Sequence, residues 1–136
     1  MSQKIVYTAG VFDLLHEGHL NILKMSKALG DKLVVGVVSD GGTERYKRQR
    51  PHLSQEQRLA YIQALACVDL AIIQEETDPT RELEIIRPHV FTHGDDWPQL
   101  LKGQKTLERL GIEFVLLPYT PGISTTEIKK TLWQNG

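Results

Sequence analysis

Five short runs of aliphatic and β-branched residues punctuate the chain: Ile5 to Ala9, Leu33 to Val38, Val68 to Ile73, Val90 to Thr92 and Phe114 to Leu117. Between them apolar residues recur at helical spacing. Ile22, Met25 and Leu29 share one face of a helix expected over Leu20 to Leu29, and Leu59, Ile62 and Ala66 share a face of another. Trp97, Leu100, Leu101 and Leu107 predict a helix that stops at Gly111. Strand runs alternating with helical segments are the signature of a parallel sheet flanked by helices. Two helix starts are marked by capping-box spacing, Ser54 with Gln57 and Ser124 with Glu127. In each, a hydroxyl and the side chain three residues on satisfy each other's backbone donors. No repeat, low-complexity tract or linker is visible, and residues 1–136 read as a single α/β, Rossmann-like domain.

In such open sheets ligands bind outside the carboxyl ends of the strands. The polar motifs of this chain all follow expected strands. Gly10-Val11-Phe12-Asp13 leads into His16-Glu17-Gly18-His19 after the first run, and Asp40 to Arg50 follows the second. Thr92-His93-Gly94-Asp95-Asp96-Trp97 follows the fourth, and Gly122-Ile123-Ser124-Thr125-Thr126 follows the last. A pair of histidines at this spacing is by itself more often structural than functional. At a strand-to-helix junction the balance changes, because a helix N-terminus offers unpaired N–H groups and a positive dipole end to phosphate, and Gly18 lets an anion approach the main chain.

Composition narrows the class. With 16 basic and 17 acidic residues the net charge is -1, which gives no overall attraction to nucleic acid or to an anionic membrane. Any anion site must be local, and Arg45-Tyr46-Lys47-Arg48-Gln49-Arg50 is the densest cluster of cations. With Gly41-Gly42 as a pliable entry, it reads as a mobile basic lid. Cys67, the only cysteine, sits in an apolar run and is expected to be a structural thiol. No segment has the apolar length of a signal peptide or a membrane span, so the expected location is cytoplasmic.

The blocks Gly10 to His19, Thr92 to Trp97 and Gly122 to Lys129, in this order and together spanning nearly the whole chain, resemble the HxGH nucleotidyltransferases. Within that superfamily the nearest likeness is to the cytidylyltransferases, glycerol-3-phosphate cytidylyltransferase above all. The resemblance implies attack of a phosphate oxygen of a small phosphorylated acceptor on the α-phosphorus of CTP, with pyrophosphate leaving. Such chemistry needs positioning and charge neutralisation rather than a protein nucleophile. It implies catalytic roles for His16, His19 and Lys47, and a nucleotide pocket of Gly10, Val11, Phe12, Gly18, Asp95, Tyr119, Gly122, Ile123, Ser124, Thr125 and Thr126. Lys47, Arg81 and Asp13 fall on the acceptor side. It also implies a homodimer, and Mg2+ arriving with CTP rather than in a dedicated protein cage, so no residue is assigned as a metal ligand.

Two positions depart from the glycerol-3-phosphate pattern. Tyr119 and Ala66 stand where those relatives carry arginine, which removes two expected cations. Either the phosphorylated acceptor differs or the enzyme is weakened. Two alternatives stay open: an adenylyltransferase of the heptose-phosphate or pantetheine-phosphate type, and a catalytically silent nucleotide-binding module.

Overall fold

The computed structural model describes residues 3–94 and 103–118. Its elements run in the order β1 (Ile5–Gly10), α1 (Glu17–Ala28), β2 (Lys32–Val38), α2 (Asp40–Lys47), α3 (Gln55–Gln63), β3 (Leu70–Gln74), α4 (Thr80–Ile86), β4 (Val90–Gly94), α5 (Gln104–Leu110) and β5 (Glu113–Leu117). The strands form one five-stranded parallel sheet ordered β3-β2-β1-β4-β5. From β1 the chain winds outward through β2 to β3, then crosses back to place β4 on the other side of β1. That reversal opens a crevice above the carboxyl ends of β1 and β4.

Strand alternation divides the core in two. One face buries Val6, Leu33, Val35, Val37 and Val90 against Leu23 of α1 and Ile62 of α3. The opposite face buries Tyr7, Ala9 and Phe91 against Leu83 of α4 and Leu107 of α5. Both faces of the sheet are covered, which is why its strands are near-continuous apolar runs rather than alternating ones. The Tyr7 hydroxyl donates to Gln74 Oε1 across Gly36, where an added Cβ would collide with that hydroxyl. Burial pushes the Tyr7 phenol far above its ordinary pKa, so it stays a neutral donor.

Three expectations are corrected. The basic lid is a helix as far as Lys47: Ser39 caps it, its Oγ accepting from Gly42 N at 2.9 Å. Gly42 is there for close approach and not for pliancy, since a Cβ would lie 2.3 Å from the Glu75 carbonyl oxygen. The helix carrying Leu59 and Ile62 ends at Gln63, and Ala66 lies beyond it, exposed. The third strand begins at Leu70, because Asp69 turns to hold Lys27 at 2.7 Å and the Leu33 N–H at 2.8 Å. The Ser54–Gln57 capping box forms as expected. Cys67 packs against the core, and burial raises its thiol pKa. No helix among the described residues is long and apolar enough to cross a membrane.

Candidate active site

A cavity of about 200 Å³ opens at the crevice. Its floor is the end of β1, Thr8 to Gly10, beside His93 and Gly94 of β4. His19 and Phe12 form one wall, Thr43, Tyr46 and Lys47 of α2 another, and Arg50 to His52 reach over from the α2–α3 connection.

The histidines are set by the helix that they begin. His16 is the N-cap of α1, and its Nδ1 accepts from Gly18 N at 3.0 Å, replacing the usual hydroxyl or carboxylate cap. His19 lies one turn on, stacked on His16 with ring centroids 3.9 Å apart, and the Phe12 ring meets it edge-on at 5.7 Å. Burial lowers the His19 pKa to about 4, helped by the neighbouring His16 and Lys47, so the ring is neutral at pH 7 and presents an N–H without a charge of its own. Phe12 adopts φ 53°, a left-handed conformation rare for a bulky residue. Its ring covers Gly10, where a Cβ would lie 3.0 Å from Phe12 Cζ. Strained backbone of this kind collects where a loop is held for function.

Below the floor a buried chain of hydroxyls joins the layers. Thr8 Oγ1 donates to Thr92 O at 2.8 Å, Thr92 and Ser26 hydroxyls meet at 2.7 Å, and Ser26 Oγ donates to Ile22 O at 2.7 Å. It fixes α1, and hence both histidines, relative to β1 and β4.

Arg58 is the residue that sequence reasoning missed. Its side chain is fully buried, and its guanidinium donates to Val11 O at 2.8 Å, Val38 O at 2.6 Å, Leu53 O at 3.0 Å and Asp40 Oδ1 at 2.7 Å. Three stretches, after β1, at the β2–α2 junction and before α3, are thereby pinned to one planar group. It lies one turn before Ile62 on the buried face of α3, but nothing local in the sequence names its partners. Asp13, placed on the acceptor side by resemblance, takes the His52 and Leu53 N–H groups and His52 Nδ1, each at 2.9 Å. Burial of its carboxyl is outweighed by these hydrogen bonds, and its pKa falls below the usual value.

The structure therefore brings together Gly10, Val11, Phe12, Asp13, His19 and Lys47 around one cavity, with His16 and Gly18 behind His19. Arg81 is not brought there. Asp78 Oδ1 accepts from Thr80 N and Oγ1 at the start of α4, and Arg81 lines a separate hollow with Glu82 and Ile72. Nor does the whole basic cluster face the cavity, because Arg45 turns away to Glu76 at 2.6 Å. Asp95, Tyr119, Gly122, Ile123, Ser124, Thr125 and Thr126 lie outside the described residues. Among the described residues no three His, Cys, Asp or Glu side chains converge in a way that would hold a metal ion.

The model of the family described as cytidylyltransferase-like matches residues 7–131. The chain belongs to that family. It is also 37% identical over 128 residues to bifunctional protein HldE of Pelobacter propionicus, covering 93% of this chain and 26% of that protein. HldE of Cronobacter sakazakii is 39% identical over 135 residues, covering 98% of this chain and 28% of that protein. The chain thus spans about a quarter of the length of these relatives. A crystal structure of the lipopolysaccharide core biosynthesis protein from Thermoplasma volcanium superposes with a TM-score of 0.73 at 36% identity, covering 88% of this chain and 98% of that one. Pantoate-beta-alanine ligase from Francisella tularensis, at 16% identity and a TM-score of 0.64 over 95% of this chain and 69% of that one, shares the fold. The family and its HxGH nucleotidyltransferase fold are therefore those that the motifs indicated.

Proposed function

We propose that this chain is a nucleotidyltransferase of adenylyl type, moving AMP from ATP to a phosphorylated sugar. The observation that carries this is its kinship at 36–39% identity with HldE proteins and with a lipopolysaccharide core biosynthesis protein. A lipopolysaccharide core is built of sugars, and of the alternatives open from sequence the heptose-phosphate adenylyltransferase is the one that acts on a sugar phosphate. The same kinship favours that alternative over CTP with glycerol phosphate. The missing arginines at Tyr119 and Ala66 agree with an acceptor other than glycerol phosphate, since they mark departures from the glycerol-3-phosphate pattern.

In the reaction an acceptor phosphate oxygen forms a bond to the α-phosphorus of ATP. The bond from that phosphorus to the bridging oxygen breaks, and pyrophosphate leaves with the electron pair. His19 and His16 supply donors near the reacting phosphorus, and Lys47 supplies positive charge from the opposite wall. Mg2+ is expected to travel on the triphosphate oxygens, whose charge it offsets. A homodimer belongs to the same reading.

The test is pyrophosphate release with ATP, CTP, GTP and UTP, each against hexose and heptose 1-phosphates and glycerol 3-phosphate. ATP with a sugar 1-phosphate is the expected pair. Preference for CTP with glycerol 3-phosphate would overturn the adenylyl reading, and no turnover with any pair would leave the silent module.

A further inference from the structure

The connection from α2 to α3 is held at both ends, and a cation stands between the fixed points. At the near end Arg48 takes φ 56°, a left-handed turn that stops α2, and its N–H donates to Glu44 O at 2.7 Å. At the far end Asp13 accepts the N–H groups of His52 and Leu53, and Arg58 donates to Leu53 O. Gln49, Arg50, Pro51 and His52 are thereby kept against the cavity, which they line together with Lys47.

The arginines of this stretch are engaged to different degrees. Arg45 gives Nε and Nη2 to Glu76, and Arg58 gives its whole fork to three carbonyls and Asp40. Arg50 makes a single contact, Nε to Glu44 Oε2 at 3.3 Å, between side chains that are 76% and 53% exposed. Its terminal nitrogens make no hydrogen bond among the described residues. An exposed pair at the long end of hydrogen-bond range contributes little and breaks easily. Among the described lining residues Lys47 and Arg50 stand against a single carboxylate, that of Asp13, whose oxygens already hold His52 and Leu53. The charge left over suits an anion.

We propose that Arg50 is a phosphate-binding arm of this cavity, which exchanges Glu44 for a bound phosphate group and grips it through the free guanidinium nitrogens. The planar fork matches two phosphate oxygens at once, which the point charge of Lys47 cannot do. Glu44 is then a built-in competitor that the phosphate displaces. This rests on the nucleotidyltransferase reading, in which phosphate arrives both on the triphosphate and on the acceptor.

The two sources are told apart by calorimetric titration of the full chain at low ionic strength with inorganic pyrophosphate, ATP and glucose 1-phosphate. Arg50→Ala should weaken binding on the order of tenfold, the size of a charge-assisted contact at an accessible site. A loss confined to pyrophosphate and ATP places Arg50 on the triphosphate, and one confined to glucose 1-phosphate places it on the acceptor. Glu44→Gln should tighten the same probe about two- to fourfold, because the competing ion pair is gone. That gain should vanish when Glu44→Gln is combined with Arg50→Ala. Both side chains are exposed, so melting temperatures without ligand should match the parent's. Parent-like binding of all three probes by Arg50→Ala overturns the assignment, and so does a Glu44→Gln gain that persists without Arg50, since it would reflect only the removed negative charge. A parent protein that binds none of the probes would overturn the nucleotidyltransferase reading and this contact with it.

Discussion

At His19, burial and two neighbouring bases act in the same direction. Desolvation comes first and the charges of His16 and Lys47 follow, which together hold the pKa at about 4. A neutral imidazole at pH 7 does not draw in a triphosphate by charge, so under the proposed reaction its contribution belongs to the transition state, where a preorganised N–H would meet developing negative charge. His19→Ala and His16→Ala should each lower kcat by roughly two orders of magnitude or more, with a smaller change in the KM for ATP. Stopped-flow turnover decides this, and near-normal kcat in either variant removes that histidine from the chemistry. The same residue makes a prediction about stability. Its unfolded form takes up a proton below about pH 6.5, whereas the folded form resists until about pH 4. Lowering the pH through that window therefore favours the unfolded state, and the share of stability due to His19 is fully present only above it. That share is up to about 3 kcal/mol. Urea unfolding between pH 7.5 and 4.5 should show a flatter pH dependence in His19→Asn than in the parent.

Among the elements, what could be read from sequence was whatever left a local periodic mark. The five strands lie where aliphatic runs placed them, with ends differing by no more than about two residues, the usual uncertainty of an element boundary. The box at Ser54 and the stop at Gly111, which takes φ 68°, were equally legible because one or two residues carry each signal. Helix α2 was not legible. Its Gly41-Gly42 pair argues against helix by propensity, and only the Glu75 carbonyl, more than thirty residues away, explains why glycine is required. Arg58 was hidden for the same reason, since its acceptors come from segments that meet only after folding. It makes the second prediction about stability. Arg58→Met leaves three carbonyl groups and the partly exposed Asp40 carboxylate without their donor, and should cost about 1–3 kcal/mol, the range for leaving a buried polar partner unsatisfied. Arg58→Lys keeps the charge but cannot span the four acceptors, so it should also unfold at lower urea, with an unchanged m-value. A midpoint equal to the parent's in Arg58→Lys would show that the fork geometry is dispensable.

On the scale of the whole molecule, a parallel sheet covered on both faces still has two edge strands, among the described residues β3 and β5. Edge strands present unpaired backbone groups, and proteins protect them by charge, by covering elements or by a partner. Leu70 at the start of β3 is 50% exposed, and Ile85 on the nearby α4 is 71% exposed, so the β3 side is where apolar surface and an edge strand coincide. The β5 edge is blunted at its start by Glu113, although Leu116 is 42% exposed. The homodimer proposed above is therefore expected to form through the β3 side, by an isologous contact in which each copy offers the same patch. Light scattering at micromolar concentration should give a mass near twice 15.4 kDa. Ile85→Glu should return it to the monomer value while leaving the far-ultraviolet circular dichroism unchanged, because Ile85 contributes little to the core of its own chain. A parent protein that scatters as 15.4 kDa sinks the dimer, and a dimer that survives Ile85→Glu and Leu70→Lys together moves the interface to another face.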